Sequence, residues 1–304
     1  MASVIYSSSR NLFQFLTLTK PRVNMLIVFC AMIGMFMAWN SETSEPFSAT
    51  LFFWATLGIA MLSAAAAAMN CLIEKQIDAK MARTAWRPLP SGNLSPNQTL
   101  IFSAVLGVSG FTVLMTFVNS MTAYLTLATF VGYAFLYTVI LKPLTPQNIV
   151  IGGASGSMPP VLGWTAVDGT VSPEAWLLFL IIFVWTPPHF WALALYRVDD
   201  YKRTGLPMLP VTHGSKFTRL QILLYASLLF PVVISPVLVG MSGYVYFGIS
   251  SVATIYFIHI CWKLYVQYSE KAARYVFRYS IYYLTFIFGG LIFDKLITQL
   301  VMNY

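Results

Sequence analysis

Stretches of about 20 mainly apolar residues, the length that crosses a bilayer as a helix, recur along this chain. Nine qualify: residues 23–39, 51–70, 99–118, 121–141, 148–167, 174–195, 220–240, 243–262 and 279–300. The last carries Asp294 and Lys295 near its end, which weakens its apolar signal. Strict alternation of apolar and polar positions is absent, so the pattern argues against a membrane β-barrel. It predicts an all-α, polytopic membrane protein with nine transmembrane helices in a single domain spanning 1–304.

Composition supports that class. Charged residues make up 9% of the chain and aromatic residues 16%, against about 25% charged in an ordinary soluble domain. A soluble protein could not cover its surface with so few charges, and a disordered chain would be poor in aromatics. The first apolar stretch lacks a small-residue cleavage site and runs into Trp39 and Asn40. It reads as a retained helix rather than a signal peptide. The few basic residues before it are thin for an organellar transit sequence, so a bacterial inner (plasma) membrane is expected.

The net charge of +8 reflects orientation rather than nucleic acid. With the N-terminus in the cytoplasm, the inside segments hold Arg10, Lys20 and Arg22; Lys75, Lys80, Arg83 and Arg87; Lys142; Arg197, Lys202, Arg203, Lys216 and Arg219; and Lys263, Lys271, Arg274 and Arg278. The outside segments hold only Lys295. So one-sided a distribution follows the positive-inside rule and places the C-terminus in the periplasm.

Two inside loops, 71–98 and 196–219, concentrate the chemistry. Four of the ten acidic residues fall there, Glu74, Asp78, Asp199 and Asp200, although no topology rule gathers acids. Asn70, Glu74 and Asp78 are spaced four apart, which places them on one face of a helix. An oxygen-rich stripe at the membrane interface suits Mg²⁺. Asp199 and Asp200 repel each other unless a cation lies between them, and Lys202 and Arg203 follow directly. Acids and bases at one membrane depth fit a metal-bridged diphosphate, with phosphate oxygens also taken by Lys and Arg. The alternative is a set of solvated loop charges.

Both loops contain Arg-Thr followed by Leu-Pro at the same spacing, Arg83-Thr84 with Leu89-Pro90 and Arg203-Thr204 with Leu209-Pro210. The repeat hints at two related four-helix halves with a ninth helix appended, or is chance. Transporters show such repeats too. Proline and glycine in Arg87–Gly92 and Gly205–Pro210 forbid continuous helix, so these segments fold back as lids or serve as linkers. Small residues at 63–68 and 152–156 allow close helix packing or leave room for a long apolar ligand. The glycines there are not a phosphate loop, because no Gly-Lys-Ser/Thr follows.

His189, inside an apolar helix, is either a functional group or a hydrogen-bonded packing residue. The functional options are an axial haem ligand and a proton-transfer group. His213 is solvated or phosphate-facing, and His259 has no assigned role. Cys30, Cys71 and Cys261 match no metal or redox spacing and read as buried small residues.

Asn70-Cys71-Leu72-Ile73-Glu74-Lys75-Gln76-Ile77-Asp78, followed by Arg83-Thr84 and Arg87-Pro88, resembles the first motif of UbiA-type intramembrane prenyltransferases. Asp199-Asp200-Tyr201-Lys202-Arg203 through Pro210 is similar to the second motif of their haem-farnesylating branch. Leu18–Arg22, Asn148–Gly153 and Trp185-Thr186-Pro187-Pro188-His189-Phe190-Trp191 resemble the same branch. Glu74 stands where many relatives have Asp, and Lys142-Pro143 lacks a second base, which speaks against a phosphate role for that loop.

The resemblance implies helices around a central cavity, a farnesyl diphosphate donor, a haem b acceptor and Mg²⁺ as cofactor. It implies Asn70, Glu74, Asp78, Asp199 and Asp200 as catalytic metal ligands, and Arg83, Arg87, Lys202 and Arg203 on the diphosphate. His189 would bind haem or move a proton. The lipid bilayer is the environment, and haem A synthase or a terminal oxidase assembly is the expected partner. Two rivals remain: a prenyltransferase acting on a quinone precursor, and a transporter, which would place its ionisable groups at mid-membrane.

Overall fold

The computed structural model describes residues 12–39 and 48–302; Arg10 and Asn40 lie outside them. It is all-helical, with no strand among the described residues. Residues 12–18 form a short helical turn. Then come α1 (Pro21–Ala38), α2 (Ala49–Ile73), the short α3 (Lys75–Lys80), α4 (Pro96–Phe117) and α5. The last starts at Ser120–Val131, continues as a π-helical stretch over Gly132–Leu141 and ends with Lys142–Leu144. Next are α6 (Asn148–Ser157), α7 (Pro159–Asp168), α8 (Pro173–Tyr196) and the short α9 (Val198–Thr204) and α10 (Leu209–Thr212). The chain finishes with α11 (Gly214–Leu238), α12 (Tyr244–Val266) and α13 (Glu270–Met302).

Eight of the described helices are long and apolar enough to cross a membrane. The expected fifth span, 148–167, is instead two ten-residue helices, α6 and α7, joined at Met158. Pro159 and Pro160 cause the break. Neither has an N–H to donate, so the helical ladder loses two successive bonds. The last helix starts earlier than its apolar stretch, at Glu270; Glu270, Lys271, Arg274 and Arg278 in its first turns keep that part out of the apolar run.

Small residues set the helix spacing, as expected. A Cβ on Gly34 would lie 2.0 Å from the Pro160 carbonyl oxygen, and one on Gly163 would lie 1.8 Å from that of Ala31. These reciprocal contacts bring α1 and α7 backbone to backbone. Gly58 and Gly110 do the same for α2 and α4. Gly152 lies against the Tyr137 ring and Gly153 against Thr186, so that glycine pair serves packing. The three cysteines are free and buried.

α8 is the hub, touching α1, α6, α7, α11 and α13. α13 also packs on α1, so the last helix meets the first. Its two charges explain themselves there. Buried Asp294 accepts from Ser242 Oγ (2.8 Å) and from the backbone N–H groups of Gly243 (2.6 Å) and Tyr246 (3.0 Å). It caps the N-terminus of α12, where the local Gly243 has no side chain to do so. Lys295 Nζ donates to the carbonyls of Phe36 (3.0 Å), Met37 (2.8 Å) and Trp39, capping the C-terminus of α1.

Candidate active site

The first motif straddles a helix break. α2 ends at Ile73, and Glu74 (φ −84°, ψ 6°) turns the chain into α3. The i,i+4 bonds continue across it, from Glu74 N–H to the Asn70 carbonyl (2.9 Å) and from Asp78 N–H to the Glu74 carbonyl (2.8 Å). Asn70, Glu74 and Asp78 therefore stay on one side. They are 2%, 5% and 3% exposed, which solvated loop charges would not be.

Each of these three groups is held by a different cation. Lys20 Nζ donates to Asn70 Oδ1, Lys142 Nζ pairs with Glu74 Oε1, and Arg87 Nη1 pairs with Asp78 Oδ2 at 2.7 Å. Asn70 Nδ2 also donates to Thr138 Oγ1 at 3.0 Å. Burial alone would raise the Glu74 pKa. The charge and hydrogen bond of Lys142, with the charge of Lys20, outweigh it and hold the carboxyl below the ordinary glutamate value. Burial works against the Arg87 charge, but Asp78 overrides it and raises the guanidinium further.

Two of these cations escaped the sequence reading. Lys142, argued against for lack of a neighbouring base, reaches Glu74 from the end of α5. The π-helical stretch before it, with the Lys142 N–H bonded to the Tyr137 carbonyl five residues back, re-aims the side chain as π-turns do at functional sites. Lys20 sits in the left-handed region (φ 49°, ψ 63°), sparsely populated by side-chain-bearing residues. That conformation belongs to the folded chain, and no local feature of the sequence marks Lys20 as a site residue.

The second motif occupies α9, and α9 packs against α3, so both motifs meet at one end of the bundle. Asp200 is half-enclosed between Arg203 (3.2 Å) and Arg197 (3.7 Å). Asp199 faces solvent, 4.0 Å from Lys202. Arg83 is exposed and belongs to none of the ion pairs among the described residues. Both Pro/Gly loops fold back onto the bundle. Leu89 and Leu94 bury against Leu18, Ala68 and Cys71, while Leu206, Met208 and Leu209 join the main core.

Among the described residues no three His, Cys, Asp or Glu side chains converge closely enough to hold a metal ion. The donor set still fits Mg²⁺: Asn70, Glu74 and Asp78 offer hard oxygens alone, on one side and out of bulk water.

His189 lies deeper, on α8. Its ring is stacked between Trp185 (4.3 Å) and Phe277 (4.6 Å). Its Nδ1 meets Ser280 Oγ at 2.6 Å. Ser280 Oγ also lies 2.7 Å from the Phe277 carbonyl; with the hydroxyl proton assigned to that carbonyl, the serine oxygen accepts from His189 Nδ1–H. That tautomer leaves the Nε2 lone pair available. His213 is exposed, beside Thr212.

The chain is 60% identical over 289 residues to the protoheme IX farnesyltransferase of Aromatoleum aromaticum, covering 95% of this chain and 94% of that one. It is 59% identical over 283 residues to the protein of the same name from Leptothrix cholodnii, 92% of each being covered. Its fold is similar to a structure of digeranylgeranylglyceryl phosphate synthase, with a TM-score of 0.78 at 19% identity, over 94% of this chain and 98% of that one. It is also similar to a UbiA homologue from Archaeoglobus fulgidus bound to DMAPP and Mg²⁺, with a TM-score of 0.65 at 13% identity, over 91% and 99%. The model of the UbiA prenyltransferase family matches residues 27–287. With motifs, fold and family model in agreement, the chain belongs to the UbiA prenyltransferase family.

Proposed function

We propose that this prenyltransferase moves a farnesyl group from farnesyl diphosphate to a vinyl group of haem b, with addition of water, and does so as one intramembrane domain. The observation that carries the reading is the first motif itself. Three buried oxygen-bearing side chains are each met by a separate cation from a different segment, Lys20, Lys142 and Arg87. Such an assembly has both the acceptor oxygens for a hard cation and the fixed positive charge for phosphate oxygens. The names of the relatives supply the acceptor and the prenyl length.

Mg²⁺ would be held by Asn70, Glu74 and Asp78 from one side and by Asp199 and Asp200 from the other, and would supply charge neutralisation to the diphosphate. Lys20, Lys142, Arg83, Arg87, Lys202 and Arg203 would take phosphate oxygens. Their charges stabilise the departing diphosphate more than the bound ester, which is how fixed cations accelerate ionisation. The carbon–oxygen bond breaks with its electron pair on the diphosphate, leaving an allylic cation. Tyr133 and Tyr137, whose rings stack at 5.7 Å on the π-helical stretch that leads to Lys142, would be the aromatic groups near that cation. The vinyl π electrons then form the new carbon–carbon bond. Water adds to the cation left on the acceptor and releases one proton. His189 would position haem or take that proton through Nε2.

The motif-bearing end would face the cytoplasm of a bacterial inner membrane, as the distribution of basic residues supports, and the product would pass to haem A synthase or a terminal oxidase. The deciding experiment analyses haem types in membranes expressing the protein, supplied with Mg²⁺ and farnesyl diphosphate. A haem enlarged by a farnesyl unit plus water, and absent with Asp78→Asn, is the expected result. Unmodified haem b alone from an active preparation would redirect the acceptor to a quinone precursor. No consumption of farnesyl diphosphate with any acceptor would favour transport.

A further inference from the structure

A second cationic cluster lies outside both motifs, where the end of α8 meets the start of α13. Tyr196, the last residue of α8, has the Arg274 guanidinium 4.7 Å from its ring centroid and that of Arg197 at 5.7 Å. Arg278 follows Arg274 by four residues and shares its helix face. Acids answer this charge only in part. Arg274 pairs with Glu270 at 3.1 Å and Arg197 with Asp200 at 3.7 Å, while Arg278 belongs to none of the ion pairs among the described residues. Arg197 and Arg274 keep 42% and 48% of their side-chain surface exposed.

The cluster is joined to His189 through aromatic contacts. Phe277 stacks on His189 at 4.6 Å and meets Tyr196 edge-on at 6.2 Å. From His189 to Tyr196 the rise along α8 is about 10 Å. A flat apolar ring system seated at His189 would thus reach toward Arg197 and Arg274 at Tyr196, with Arg278 one turn along from Arg274, and Arg is the residue suited to planar carboxylates.

We infer that Arg197, Arg274 and Arg278 around Tyr196 form a carboxylate-recognition site for the acidic side chains of the acceptor. The inference rests on the haem reading above and extends it. Arg and Tyr196 hold the acceptor by its carboxylate edge, and orient it by that edge before the vinyl group reacts. A hydrocarbon-walled cavity could not otherwise distinguish the edges of a porphyrin.

The test uses the full-length protein in nanodiscs of phosphatidylcholine alone, which removes anionic headgroups as competitors. Binding of protohaem IX and of its dimethyl ester is titrated by absorbance. The ester keeps the ring, iron and vinyl groups and loses both negative charges. The wild type should bind the diacid about tenfold or more tightly than the ester, the scale of one charge-assisted hydrogen bond. Arg274→Gln/Arg278→Gln should bring the two affinities together by weakening the diacid alone. Arg274→Lys/Arg278→Lys should keep part of the preference. Arg197 is left intact because it also supports Asp200. Equal affinity for diacid and ester in the wild type, or an undiminished preference in the Gln variant, would overturn the site while leaving haem as acceptor. Should the Gln variant not fold, the wild-type comparison and the Lys variant still decide. Binding of neither compound would overturn the haem reading and the site with it.

Discussion

Lys142 and Glu74, 68 positions apart in the chain, meet as an ion pair that ties the end of α5 to the end of α2. Their side chains are 17% and 6% exposed. Breaking one half of a buried pair leaves an uncompensated charge, at a cost of about 3 kcal/mol or more. Lys142→Met should therefore lower thermal stability in detergent and abolish most turnover. Adding Glu74→Gln should recover much of the stability and none of the activity. Recovery of turnover in the double variant would remove the pair from the diphosphate site.

The same pair fixes a pH dependence. The Glu74 pKa is depressed in the folded protein, so its contribution is fully present above the unfolded glutamate value. It is lost as pH falls through the lower folded value. Melting curves of wild type and Glu74→Gln should differ at neutral pH and converge in acid. A difference that grows on acidification would contradict the assigned sign.

Asp78 and Asp199 separate a structural effect from a catalytic one. Asp78 is buried against Arg87, whereas Asp199 is 82% exposed. Asp78→Asn should lower both stability and turnover. Asp199→Asn should leave the melting temperature unchanged and still lose most turnover, measured as release of diphosphate. Unchanged turnover in Asp199→Asn would exclude that carboxylate from the metal site.

Ser280 is the hydrogen-bond partner of His189 Nδ1, so Ser280→Ala should act on the acceptor side. Weaker haem binding with an unaltered affinity for farnesyl diphosphate is expected, and His189→Ala should show the same split more strongly. Equal loss of both affinities would reduce His189 to a packing residue.

Gly34 has no room for a side chain, because the Pro160 carbonyl occupies that space. Gly34→Ala should destabilise by about 1–3 kcal/mol through forced separation of α1 and α7. Thermal denaturation reads this directly, and a neutral effect would mean that the helices slide apart freely.

The helical class and the approximate place of most spans were legible in the sequence because apolar runs of bilayer length have few other meanings. The Met158-Pro159-Pro160 break was visible as prolines, yet hydropathy does not register lost N–H donors, so α6 and α7 read as one span. In the site, the i,i+4 spacing of Asn70, Glu74 and Asp78 survived the turn at Glu74 because the backbone bonds cross it. Lys20 and Lys142 were not legible as site residues. Each lies 50 or more positions from its partner, and only the bundle brings them together. In the sequence Asp294 and Lys295 only weaken an apolar helix, since nothing local reveals a cap supplied to another helix.

That capping has a consequence for biogenesis. The carbonyls at the end of α1 receive Lys295 only after the more than 250 residues between them have been synthesised, so α1 waits for α13 to complete its terminus. The seam between α1 and α13 must then close late in assembly. A nascent chain halted before Lys295 would carry both active-site motifs and still lack the cap that fastens this seam.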